Sequence, residues 1–303
     1  MFQHILIPLD GSRLSEASLQ VARVLAAQLG SRVTLLHVIE QNAPEAVHQQ
    51  THLRRPGEAE DYLQRAAKGF EAVGVTADVH VHEVPVGNVA RSIVEHAVRE
   101  LLTDLIITST HGGGGARRAL FGSIAQQVAA ESSLPLLLVK PGLADFKLAS
   151  VLVPLDPDSE HDSGLSVALR LATATGASLD LLSVVPTPTT LAGAQAAAGN
   201  LLPTATRAFL DIRAENALQH LHEHVAEFEA QGCRASSSVA RGDPASEILR
   251  RAEALEADLI ILATHGKAGV SAFWARSVAP RVAEKSRLPV LLLPASTGSS
   301  DSS

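Results

Sequence analysis

The chain has little of several things, and each shortage excludes a class of protein. Of 303 residues only one, Cys233, is a cysteine, so neither a disulfide framework nor a multi-cysteine zinc site can be built. Aromatic residues make up 3% of the chain, with a single Trp and a single Tyr, which leaves few platforms for stacking single-stranded bases. The formal net charge is -7, the wrong sign for a protein that grips phosphate backbones. Its longest apolar runs, around 134–139 and 259–263, fall far short of the ~20 residues that a membrane helix needs. Residues 1–10 read as a strand, with neither a basic flank nor a signal-type cleavage site. What remains is globular: 46% hydrophobic and 19% charged, at a length of roughly two domains of about 150 residues each. These features predict a soluble protein of a reducing compartment, the cytoplasm, that takes neither nucleic acid nor membrane as partner.

The chain repeats itself once. His4-Ile5-Leu6-Ile7-Pro8-Leu9-Asp10 is echoed by Ser150-Val151-Leu152-Val153-Pro154-Leu155-Asp156, and Val33 to Val38 by Leu179 to Val184. Asp104-Leu105-Ile106-Ile107-Thr108-Ser109-Thr110-His111-Gly112 returns as Asp258-Leu259-Ile260-Ile261-Leu262-Ala263-Thr264-His265-Gly266. A period of half the chain is too long for a solenoid and marks a duplicated domain. Domains over 1–142 and 149–294 follow, joined by a short Pro/Gly-containing segment. The polar tail, 295–303, has nothing to bury and is expected to be disordered.

Within the first copy, short Ile/Leu/Val runs predict strands over 2–7, 32–38, 77–83, 105–109 and 136–139. Stretches with apolar residues at helical spacing predict helices over 12–29, 57–73, 88–102 and 123–131. Most of the strands are apolar throughout, as in a parallel sheet covered on both faces, whereas Val79-His80-Val81-His82 alternates, as at an edge. The expected fold is α/β, two tandem doubly wound parallel sheets of five strands. The segments 41–56 and 186–206 are expected to form flaps beyond the carboxyl ends of the strands.

Ligands of such sheets lie beyond those carboxyl ends. There the first copy reads Ser109-Thr110-His111-Gly112-Gly113-Gly114-Gly115-Ala116-Arg117-Arg118, then Ala119-Leu120-Phe121-Gly122-Ser123 at a helix start. Glycines let main-chain amides approach an anion, the helix start adds unpaired N–H donors, and Arg117 and the Ser123 hydroxyl are suited to phosphate oxygens. From the residues alone the segment reads equally as a phosphate cradle or as a loop that merely links strand to helix. No lysine precedes Ser123, so it is not a P-loop, and no G-x-G-x-x-G or G-x-S-x-G occurs there.

Pro8-Leu9-Asp10-Gly11-Ser12, Leu36-His37-Val38, and Gly112 followed after nine residues by Gly122-Ser123 resemble the universal stress protein (UspA) family. The resemblance spans both copies. It implies strand order 3-2-1-4-5, a Rossmann-like domain akin to the adenine nucleotide alpha hydrolases, arranged as a pseudo-dimer. It implies an adenine nucleotide, ATP or a relative, with or without magnesium. Asp10 and Val38 match the family's nucleoside contacts, and Ser109, Gly112, Gly122 and Ser123 its phosphate-wrapping positions, with Ser109 standing where the family's motif has its first glycine. Gly115 and Arg117 lie within that loop, and His111 would brace it. Asp10 reads alternatively as a turn carboxylate and Val38 as a core strand residue. In the second copy Asp156, Val184, Ala263, Gly266, Arg276 and Ser277 occupy the matching places, and Arg276 replaces a glycine that should lie against phosphate. The second site is therefore expected to be degenerate.

With no general base, lysine or carboxylate pair at the loop, no catalytic residue is assigned, and any ATP hydrolysis should be slow. The function implied is that of a nucleotide-responsive stress-resistance factor. A slow adenine-nucleotide hydrolase or transferase and a nucleotide-free protein-interaction module are the rivals. The resemblance also implies that the two domains pair through their fifth strands, with dimerisation of whole chains compatible with the pattern. Thirteen histidines raise the question of a metal. The pairs His220/His224, His48/His52 and His80/His82 have ligand-like spacing, but such pairs more often form a solvated face, so none is assigned a metal.

Overall fold

A computed structural model describes residues 1–41, 46–47, 50–51, 53–85, 87–110, 123–143, 145–156, 163–191, 193–264 and 278–294. The chain divides into two compact units, the first built chiefly on Met1–Leu148 and the second on Ala149–Lys267 with Ser277–Lys285.

In the first copy, β1 (His4–Pro8), α1 (Ala17–Leu29) and β2 (Arg32–Glu40) are followed by a two-residue antiparallel pair, β3 (Ala46–Val47) and β4 (Gln50–Thr51). Then come α2 (Pro56–Glu71), β5 (Ala77–Val84), α3 (Val89–Glu95), β6 (Leu105–Ser109), α4 (Ser123–Glu131) and β7 (Leu136–Val139). The order across the sheet is β5-β2-β1-β6-β7, the expected 3-2-1-4-5 arrangement with parallel neighbours. Ile5, Leu6, Ile7, Leu35 and Ile106 are fully buried, because helices cover both faces and each such side chain contributes about 2 kcal/mol. Helix α2 shows why its sequence winds: Pro56 pre-sets the first turn, Glu58 and Lys68 suit the two dipole ends, and Ala59, Leu63, Ala67 and Phe70 form one buried stripe.

The second copy repeats this plan with β8 (Ser150–Leu155), α5 (Ser163–Thr175), β9 (Ser178–Val185), α6 (Gly193–Leu201) and α7 (Pro203–Ala230). It continues with β10 (Ala235–Arg241), α8 (Pro244–Ala254), β11 (Leu259–Thr264), α9 (Val278–Lys285) and β12 (Val290–Pro294). Its strand order is β10-β9-β8-β11-β12. In the first copy the outermost third strand, β5, is half-exposed along its length, as its polar alternation predicts, and β10 of the second copy is half-exposed too.

Three expectations are corrected. Residues 12–16 are not the first turn of α1. They form tight serine-lined turns, in which Ser15 Oγ donates to Ser12 O at 2.8 Å and Ser18 Oγ to Ser15 O at 2.7 Å, since serine hydroxyls compete with helical bonding near a chain turn. The helix expected over 88–102 ends at Glu95, and His96–Glu100 forms a wider turn closed by the Leu101 amide donating to His96 O at 2.8 Å. Most of 186–206 is not a flap but helix: the alanines of α6 have the highest helix propensity, and Pro203 starts α7. The segment 295–303 lies outside the described residues.

Candidate functional site

The carboxyl ends of β1, β2 and β6 are neighbours because β1 lies between the other two. Pro8 pairs with Leu36 and Leu6 with Ile106. Extending these registers by a few residues sets Asp10 level with Val38 on one side and with Thr110 on the other. This is the point where the winding direction reverses, the crevice at which open α/β sheets take ligands.

Asp10 is partly exposed, and its Oδ1 accepts the Ser12 amide at 2.9 Å. The carboxylate thus holds the turn that carries Gly11, a local role that short acidic side chains fill well. Gly11 sits at φ +85°, and a Cβ there would meet Leu53 Cδ1 at 2.9 Å. Only glycine allows both that backbone and that closeness.

Behind the turn His37 is buried, with Nδ1 2.6 Å from Leu9 O and Nε2 3.1 Å from Leu53 O. A neutral ring donates to only one of these carbonyls. The imidazole links the end of β1 to the segment before α2, and so braces the turn from below. Tyr62, delivered by α2, also reaches this region. Burial, and then the carboxylates of Glu16 and Asp10, hold its phenol above the ordinary value. His37, Leu53 and Tyr62 were missed as site-forming residues. The only sequence sign was a histidine inside an otherwise apolar strand.

Val38 is buried in β2 and Ser109 is buried at the end of β6, paired with Val139. Thr110 continues that line, its amide donating to Val139 O at 2.7 Å. Ser123 is the first residue of α4, so its amide belongs to a helix start. His111, Gly112, Gly115, Arg117 and Gly122 lie outside the described residues. The strand registers therefore place Asp10, Val38 and Ser109 at the carboxyl ends of neighbouring strands, with Ser123 the first residue of α4.

In the second copy Leu155 pairs with Ser183, which sets Asp156 level with Val184. Ser183 Oγ donates to Leu155 O at 3.3 Å, the counterpart of the His37 bond to Leu9. Asp156 is exposed, Val184 is buried and Ala263 lies in β11. Gly266, Arg276 and Ser277 lie outside the described residues.

The model of the universal stress protein family matches twice, over residues 1–140 and 148–294. A universal stress protein of Thermus aquaticus is 31% identical over 145 residues, which cover 46% of this chain and 100% of that protein. One from Methanocaldococcus jannaschii is 28% identical over 145 residues, 46% of this chain and 83% of its own length. A solved universal stress protein from Archaeoglobus fulgidus covers 96% of both chains with a TM-score of 0.68 at 20% identity, a likeness of fold. Among the described residues no helix is long and apolar enough to cross a membrane. This chain belongs to the universal stress protein family and carries that family's domain twice in tandem.

Proposed function

We propose that the first domain binds an adenine nucleotide, ATP or a close relative, and that the protein acts as a nucleotide-responsive stress factor of the cytoplasm. The observation that carries this reading is the meeting of Asp10, Val38 and Ser109 at the switch point of the first sheet. From there the sequence runs into four glycines and a helix start at Ser123. In this reading Asp10 takes a nucleoside hydroxyl, the Val38 backbone meets the adenine edge, and Ser109, Gly112, Gly122 and Ser123 wrap the phosphates. His111, Gly115 and Arg117 complete the loop. Magnesium, where present, would ride on the phosphates. The second site, with Arg276 in place of a phosphate-facing glycine, is read as degenerate. Any hydrolysis is expected to be slow, because the sequence of the loop offers no obvious general base and no lysine.

Membership of the family supports the assignment, as does the repetition of the whole sheet plan. The two domains are further proposed to pair through residues 136–139 and 290–293. An apolar strand at the end of a five-strand order needs a cover, and slow hydrogen exchange at the Leu136 and Leu138 amides, which face away from β6, reads that pairing.

Calorimetric titration of the full chain with ATP tests the central claim. One site per chain is expected. Asp10→Ala removes a charged hydrogen-bond acceptor and should weaken binding about 10- to 100-fold. Two equal sites would refute the asymmetry. No heat, together with no nucleotide carried through purification, would refute the binding and leave the interaction-module reading.

A further inference from the structure

Three imidazoles meet at the outer edge of the first sheet. His80 and His82 are two apart on edge strand β5, so the pleat sends both to one face. Their rings are near-parallel, 15° between planes, with centroids 6.3 Å apart. His96 follows α3, distant in sequence. Its ring centroid lies 4.2 Å from that of His82 and 5.0 Å from that of His80. One ligating nitrogen from each ring lies within 4.8 Å of the other two, the one such group of three among the described residues. A tetrahedral ion with bonds of about 2.05 Å wants nitrogens about 3.3 Å apart, so modest side-chain rotations close the set.

The hydrogen bonding favours a ligand over packing alone. His96 is 2% exposed, and its Nδ1–H donates to Ser92 O at 2.8 Å. That bond fixes the tautomer and turns the Nε2 lone pair towards the other two rings, the support that metal-bound histidines usually receive. Nε2 of His96 and Nε2 of His80 are both buried without a hydrogen-bond partner, an arrangement that folded proteins avoid unless something else occupies the nitrogen. His4, another buried histidine, shows the satisfied case: one nitrogen meets Leu101 O at 2.9 Å and the other Thr34 Oγ1 at 2.8 Å. The Glu100 carboxylate is 3.4 Å from His96 Nε2, outside hydrogen-bonding geometry but near enough to add an oxygen. Burial, and then the neighbouring His96 and His82 rings, lower the His80 pKa.

In the second copy the same corner of the fold is filled differently. By strand register His80 and His82 correspond to Ser238 and Ala240. The buried Ala90, Ile93 and Ala97 of the first copy align with the buried Ala245, Ile248 and Ala252, which sets Arg251 at the place of His96. There the guanidinium reaches the neighbouring strand β9 and grips Asp180 through two hydrogen bonds of 3.0 and 2.7 Å. One copy thus ties helix to sheet with an ion pair. The other brings three imidazoles to the same corner.

We propose that His80, His82 and His96 bind a divalent transition-metal ion, zinc first among them, with Glu100 placed to be a fourth ligand. Imidazole donors of this kind suit zinc, cobalt, nickel and copper and not magnesium or calcium. The inference rests on the geometry and hydrogen bonding of these rings and is independent of the nucleotide reading.

The full chain, stripped with chelator and free of nucleotide, is titrated with zinc chloride by calorimetry and with cobalt chloride by visible absorption. One tight equivalent and intense tetrahedral-type cobalt bands are expected. His82→Ala and His80→Gln, both at half-exposed positions, should each weaken zinc at least tenfold and bleach the cobalt bands. The double variant His220→Ala with His224→Ala removes the histidine pair on α7 and should leave the tight site intact. A wild-type chain that takes up no zinc overturns the proposal, as does an isotherm unchanged by His82→Ala or one abolished by the α7 double variant.

Discussion

The Asp180–Arg251 pair lets one substitution be reasoned through to a number. The side chain of Asp180 is 4% exposed and that of Arg251 29%. Its carboxylate is held by Arg251 Nε at 3.0 Å and Nη2 at 2.7 Å, and by Ser236 Oγ at 2.8 Å. In return the carboxylate raises the Arg251 pKa. Arg251→Met keeps the aliphatic stem and removes the charge, so a buried carboxylate is left with one hydroxyl. Breaking a buried pair in this way costs about 3–5 kcal/mol, and the partial exposure of the guanidinium puts this site at about 3. For a unit of this size each kcal/mol moves the melting temperature by about 2–4 °C, so a loss of about 6–12 °C is expected for the second unit. Scanning calorimetry at pH 7 reads it, with the first unit as an internal reference. Adding Asp180→Asn to Arg251→Met removes the stranded charge and should restore at least half of the loss. A melting temperature within about 1 °C of wild type would refute the reasoning, as would a double variant no better than the single one.

Two further outcomes are expected. Arg281 holds Asp243 at 2.7 and 2.9 Å, and the same carboxylate caps α8 by accepting the Ser246 amide at 3.1 Å. This lowers the Asp243 pKa from 3.8 to about 2. The stabilisation is present above pH 3.8 and is lost as the pH falls from 3.8 towards 2. The full difference is about 2.4 kcal/mol, which exposures of 33% and 44% for the two side chains reduce to about 1 kcal/mol. Asp243→Asn keeps the cap and loses the charge, so urea melts should show a deficit of that size at pH 6 that vanishes near pH 2; a deficit constant across that range would contradict the ion-pair account. Gly11→Ala forces a side chain into positive φ and against Leu53, at a cost of about 1–2 kcal/mol. It should weaken ATP through the misplaced Asp10 turn, and unchanged melting and unchanged affinity would show that the turn tolerates a Cβ.

Local pattern carried most of the architecture. Apolar runs flanked by turn residues mark β1, β2, β6 and β7, because a parallel strand covered on both faces has no polar position to spare. The alternation of Val79 to His82 marks an edge, and the repetition marks two domains. The strand ends were legible for the same reason: in a doubly wound sheet the residues just after a strand stand at its carboxyl end, so Asp10 and Ser109 are placed there by counting. Residues 193–206 were misread because flanking prolines and threonines looked like a loop, while the alanines between them favour a helix.

By itself, the sequence determined most of the strands and helices, that the domain occurs twice, and which residues follow the carboxyl ends of the strands, where the nucleotide is proposed to bind. These depend on residue type and short-range periodicity, which the chain displays one residue after another. Only the tertiary structure decided what stands beside what across long gaps. His96 joins His80 and His82, Arg251 reaches Asp180, and His37 lies under the turn at Gly11. The first two meetings depend on how a helix packs on a sheet and the third on which strands are neighbours, relations that linear spacing does not encode.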